Sequence, residues 1–136
     1  MDKEQIKHIA LKMESREDLL SLLNRIKRDE MEELGYADKF YPFTIRHMNY
    51  YCNPKNAFHR YRQFKIKKKA GGFRQITAPR NRSFMFLLDC LNEVLKAIYT
   101  PSQYAMGFTE GRTVVTNANK HKGANYVFNI DLKDFF

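Results

Sequence analysis

Between Lys39 and Leu88 the chain contains no Asp or Glu, although it holds twelve Lys and Arg over those fifty residues. The segment before it carries seven basic against ten acidic residues, and the segment after it carries five of each. The net charge of +9 therefore comes from the middle of the chain. A merely solvated basic face usually interleaves acids with its cations, whereas an acid-free run mixed with Tyr61, Phe64 and Phe73 suits a surface that meets a polyanion. Cysteine is scarce: Cys52 and Cys90 form no C-x-x-C, which excludes a disulfide framework. His47, Cys52, His59 and Cys90 match no zinc-ligand spacing, and scattered His and Cys are usually structural. No apolar stretch reaches the length of a signal or membrane segment, so the expectation is a reduced, cytoplasmic protein without a membrane partner. Four prolines and six glycines are too few and too dispersed for a linker or repeat array.

At 136 residues, 43% apolar and 14% aromatic, the chain suffices for one domain with a core. Ile6, Ile9, Ala10 and Met13 recur at helical spacing. Ser15 with Asp18 three residues on reads as the cap of a second helix, whose stripe is Leu19, Leu22, Leu23 and Ile26 and which Gly35 stops. This helical pair carries no chemical signature and is assigned to packing or a partner. An aromatic connector, Tyr36 to Phe43, leads to a short helix from Ile45 to Tyr51 that Pro54 closes. In R-Y-R-Q-F-K-I-K-K-K the period changes to two; Gly71-Gly72 breaks the run, and F-R-Q-I-T-A resumes it until Pro79. The expectation is a β-hairpin with Lys65, Lys67, Lys68, Lys69 and Arg74 around its tip, where a loop can close over phosphates or simply be solvated. Phe84, Leu87, Leu88, Leu91, Val94, Leu95 and Ile98 define an amphipathic helix over residues 81–99. Gly107 and Gly111 bracket a turn, after which Arg112 opens a short helix with Val114, Val115 and Ala118 facing inward. A glycine loop before a helix start is also one way of holding an anion.

The chain closes on Y-V-F-N-I-D-L-K-D-F-F, which reads as a buried strand ending in Asp131. A carboxylate at a strand end either holds a divalent metal at the rim of a sheet or serves as a turn former.

The order of these motifs resembles the N-terminal part of a retron or group II intron type reverse transcriptase. The resemblance spans F-K-I-K-K-K-A-G-G-F-R-Q-I-T-A-P, a helix, Y-A-M-G-F-T-E-G-R-T-V-V-T-N-A, and N-I-D-L-K-D-F-F, about Tyr61 to Phe136. It implies an α+β architecture: an N-terminal helical region (1–58), a fingers subdomain (59–125) and the first palm strand (126–136). The hairpin is similar to the fingers hairpin that holds an incoming triphosphate; Lys68 and Arg74 match best, with Lys67 and Lys69 as rivals. Lys65, Lys67, Lys69 and Arg112 would contact nucleic acid, and Asn117 and His121 fall at family positions. G-F-T-E-G-R-T resembles the family's G-F-x-x-G-R-S, with Thr113 in place of Ser. The helix from Asn81 departs from the family wording, reading F-M-F-L-L-D-C. Asp131 and the Leu132 carbonyl would bind metal, Asp134 would lie near the triphosphate, and Phe136 matches the aromatic gate that excludes a 2′-hydroxyl.

The resemblance implies two Mg²⁺ in the complete enzyme, and an RNA template, a DNA primer and dNTP as partners. A structured non-coding RNA or other protein subunits are further partners it allows. Two-metal phosphoryl transfer gathers carboxylates around ions roughly 3.5–4 Å apart. The family supplies two of them from a Y-x-D-D motif that this sequence lacks, so the 136 residues are expected to be an inactive fragment. The alternative is a non-catalytic nucleic-acid-binding module with a fingers surface. Retrons, intron maturases and phage-defence proteins share these motifs and differ in thumb and C-terminal domains.

Overall fold

A computed structural model of the chain describes residues 1–130. They form an α+β arrangement in two compact units, Met1–Tyr99 and a second that begins at Thr100. The first unit opens with α1 (Lys3–Ala10) and α2 (Arg16–Glu33), each started by a reciprocal cap. Asp2 accepts from the Gln5 amide while the Gln5 side chain accepts from Asp2, and Ser15 and Asp18 repeat the pattern. These bonds satisfy backbone donors that a helix start leaves without partners. Gly35, at φ +75°, ends α2: its N–H reaches the Glu32 carbonyl and that of Tyr36 reaches Met31. That pairing is a Schellman closure, which glycine adopts without steric cost.

Helix α3 (Ile45–Cys52) is capped by Thr44, with His47 accepting the return bond through Nδ1. A one-turn α4 (Ala57–Arg60) leads into strand β1 (Tyr61–Lys67), which pairs antiparallel with β2 (Phe73–Pro79). The register runs from Tyr61 opposite Pro79 to Lys67 opposite Phe73. Gly71 and Gly72, both at positive φ, turn the chain between the strands. Pro79, with no N–H to donate, sits at the end of an edge strand, where its loss is tolerated.

Helix α5 (Arg82–Ile98) starts at Asn81, whose side chain accepts from the Phe84 amide at 2.7 Å. It packs against α1 and α2 around Ile6, Leu22, Leu23, Ile26, Phe84, Leu87, Cys90, Val94 and Ala97. Burying a large aliphatic side chain contributes about 1.5–3 kcal/mol, so this seam organises the unit. The buried line differs in part from the expected stripe, because Leu95 and Ile98 are 51% and 40% exposed. Only the arc of α5 facing α1 and α2 closes over, and small residues, Cys90 and Ala97, occupy it where helices approach.

The connector between α2 and α3 is held from α2. Asn24 donates to the Phe43 carbonyl and accepts from the Phe43 amide at 2.6 Å, standing in for a paired strand. The Lys27 ammonium donates to the Tyr41 carbonyl and lies 4.2 Å from the Phe43 ring centre, with Phe40 and Phe86 also within 6 Å. Burial lowers the pKa of this lysine.

In the second unit the described structure is a turn-rich loop and α6 (Val114–Lys120), capped by Thr113. Two expectations are corrected here. Val114 and Val115 are 86% and 67% exposed and Ala118 is exposed, so the helix does not turn an apolar side inward. These seven residues are held by the Thr113 cap and by Lys120, whose ammonium donates to the Gln103 carbonyl and lies over the Tyr104 ring, and not by apolar burial among the described residues. Residues 126–130 belong to no helix or strand, and Tyr126 and Phe128 are 93% and 86% exposed. A strand is completed by a neighbour that takes its N–H and C=O groups, and the two strands among the described residues pair with each other. No helix among the described residues is long and apolar enough to cross a membrane.

Candidate nucleic-acid interface

The hairpin of β1 and β2 stands on an aromatic stack. Tyr61 meets Phe84 edge-on at 5.3 Å, and Phe84 stacks on Tyr51 at 4.7 Å. The Tyr51 hydroxyl reaches the Asn81 side chain, and the Arg60 guanidinium donates to the Tyr51 carbonyl. A two-stranded hairpin is marginal alone, so this anchor fixes its base, while β1 is exposed throughout and β2 is exposed except at the half-buried Ile76, Ala78 and Pro79.

Alternation along the strands then sorts the candidate cations. Lys65 and Lys67 share one face with their cross-strand partners Gln75 and Phe73. Arg74, opposite Ile66, lies on the other face with Phe64, Ile76 and Arg62, whose guanidinium is 5.6 Å from the Phe64 ring centre. Lys68 and Lys69 occupy the turn itself, where the Lys68 amide bonds the Gly72 carbonyl. Lys65, Lys67, Lys68, Lys69 and Arg74 are thus gathered at one end, split between two faces and a loop. Among the described residues the ion pairs join the N-terminal ammonium to Asp29, Arg16 to Glu17 and Lys96 to Glu93, and none uses these cations. Such a concentration of positive charge attracts a polyanion over a range set by salt, about 8 Å at physiological ionic strength.

Arg112 belongs to the second unit and is half-buried there. Its Nη1 donates to the carbonyls of Ser102 and Ala105, the latter at 2.6 Å. Thr109 also donates to Ala105, and Gly111 takes φ +73°. The G-F-T-E-G-R-T motif therefore folds as a loop tied by its own arginine, and Thr113 accepts from the Thr116 amide at the helix start that the glycines precede. Asp131, Leu132, Asp134 and Phe136 lie outside the described residues. No three His, Cys, Asp or Glu among the described residues gather to hold a metal ion, so these residues alone do not fit a two-metal site.

The same face that carries Lys65 also presents Tyr61, Gln63 and Thr77, a grouping the sequence reading did not name. The period-two pattern contains it once the hairpin register is known. Phe58, on the one-turn helix before β1, stands beside it and carried no periodic signal.

A basic hairpin anchored on a helical core is the kind of surface that attracts polyanions in general, and sequence relatives can be set beside it. Over 97 residues the chain is 33% identical to retron Mx65 reverse transcriptase of Myxococcus xanthus, covering 68% of this chain and 21% of that protein. It is 37% identical over 87 residues to retron Mx162 reverse transcriptase of the same organism, covering 59% and 18%. Retron Ec86 reverse transcriptase of Escherichia coli matches at 28% over 110 residues, covering 79% and 32%. The chain is thus similar to retron reverse transcriptases, as its motifs imply, and spans between about a fifth and a third of their length. No protein-family model matches it, and no solved structure does.

Proposed function

We propose that this chain is the fingers portion, with the start of the palm, of a reverse transcriptase, and that its hairpin handles the phosphates of an incoming dNTP and of the template. The observation that carries this reading is the anchored, acid-free hairpin with Lys67, Lys68, Lys69 and Arg74 around a glycine turn. Arginine grips phosphate oxygens as a fork and lysine as a movable point charge, and a glycine turn lets both close on a ligand. Lys68 and Arg74 take the triphosphate; Lys65, Lys67 and Lys69 take the nucleic-acid backbone. Arg112, by holding the 102–105 loop, positions the surface that meets the template. Asp131 and the Leu132 carbonyl contribute to binding two Mg²⁺, which supply charge neutralisation to phosphoryl transfer in the complete enzyme. Asp134 lies by the triphosphate, and Phe136 packs under the deoxyribose.

The reading requires a longer gene product that carries a Y-x-D-D segment, and single-nucleotide incorporation by that product tests it. Lys68→Ala with Arg74→Ala should raise KM for dNTP at least tenfold. Asp131→Ala should abolish turnover with dNTP and rNTP alike, while Phe136→Ala should lower the dNTP over rNTP ratio of kcat/KM. Unchanged KM in the double variant would remove the hairpin from nucleotide binding. A reading frame that ends without the segment would instead support a nucleic-acid-binding module.

A further inference from the structure

Phe58, Tyr61, Gln63 and Thr77 line a hollow of about 350 Å³ on one face of the hairpin. Its size lies within the range of small-molecule sites. The Phe58 ring is 88% exposed and so has a free π-face, while the Tyr61 ring is held in place by its edge contact with Phe84. Gln63 is oriented by Gln75, whose Nε2 donates to Gln63 Oε1 at 2.9 Å. That bond engages Gln63 Oε1 as the acceptor, so what the Gln63 side chain has left to offer a ligand is its amide N–H donors. Thr77 pairs with Gln63 in the register and adds a hydroxyl that can donate or accept.

Two aromatic rings beside a short polar edge suit a flat ligand with hydrogen-bonding atoms on its rim. On the same face Lys65 and Lys67 follow at about 7 and 14 Å from Gln63, counted at the rise of a strand. No acid occurs anywhere between residues 39 and 88 to attract a cation instead. We propose that this hollow holds one nucleobase of a single-stranded nucleic acid whose backbone continues along Lys65 and Lys67. The site rests on the reading of the hairpin as a nucleic-acid surface and adds base contact to it. Stacking supplies affinity without sequence preference, and the Gln63 amide beside the Thr77 hydroxyl adds a bias toward bases with a donor next to an acceptor.

The test is fluorescence anisotropy with the whole 136-residue chain and two labelled deoxyribose-phosphate strands of equal length, one oligoadenylate and one abasic. Phe58→Ala should weaken oligoadenylate binding roughly 5- to 150-fold, the range for loss of one stacked base, and leave the abasic strand unchanged. Because the ring is exposed, the substitution removes little packing; Phe58→Tyr should restore binding. Lys65→Ala with Lys67→Ala should weaken both strands. Equal loss on both strands for Phe58→Ala, or no loss on either, would overturn the base site. Equal affinity of the unmodified chain for the two strands would also overturn it while leaving the charge-based surface standing. Failure of the unmodified chain to bind either strand would remove that surface and the base site together.

Discussion

Cys90 has no exposed surface, and its thiol is pushed up to about 12, first by burial and then by the nearby Glu30 carboxylate. A thiol with a pKa raised that far stays protonated at neutral pH and is a poor nucleophile. Cys52 is exposed. Titration of the folded chain with a thiol reagent at pH 8 should therefore modify one cysteine, Cys52, and a second only in denaturant. Two fast equivalents in the native state would show that the seam around Cys90 opens readily. At this scale the sequence was partly legible: Ser15 and Asp18 sit within one turn of each other, so their reciprocal cap shows in four letters. The Ser15 hydroxyl and the Glu14 and Ser15 amides hold the Asp18 carboxyl below its ordinary value, as an acceptor of several hydrogen bonds should be. The cage around Lys27 was not legible, since Phe40, Phe43 and Phe86 come from distant segments and only the fold brings them together.

Among the elements, the hairpin and α5 announce themselves through period and punctuation. Gly71-Gly72 between two alternating runs leaves one short-range solution, and the observed strands follow it. What alternation alone did not give is that Arg74 and Lys67 stand on opposite faces, because that depends on the turn length that sets the register. The stripe of α5 was visible, but its buried edge was not, since the neighbours choose which arc of a wide apolar face is covered. Residues 126–130 failed in the same manner: β-forming residues describe what a strand would contain, and pairing decides whether one forms. The start of α5 also joins the core to the hairpin, because Asn81 both caps the helix and meets Tyr51 under the aromatic stack. Asn81→Ala should cost about 1 kcal/mol, the usual value of a lost N-cap, read as a lower denaturant midpoint with unchanged m. A change below about 0.3 kcal/mol would show that the cap is replaced by water.

Over the chain as a whole, charge is segregated. Within the first unit Asp29, Glu30, Glu33, Asp89 and Glu93 line a cleft of about 400 Å³, and the cations collect at the hairpin. Burial, then the carboxylates of Asp89 and Glu93, raise the pKa of Glu30, as expected where acids gather. The chain is similar to retron reverse transcriptases, and the function proposed above puts contact with nucleic acid at the hairpin. The most direct test of that claim is the salt dependence of single-stranded RNA binding by the unmodified chain and by a variant with Lys67, Lys68, Lys69 and Arg74 all replaced by Ala. Each phosphate contact contributes about −0.7 to the slope of log K against log salt for a single strand. The account predicts a steep negative slope for the unmodified chain and a slope shallower by up to about 3 for the variant, given four lost contacts at that value. Equal slopes for the two proteins would contradict it, because the charge that holds nucleic acid would then lie away from the hairpin.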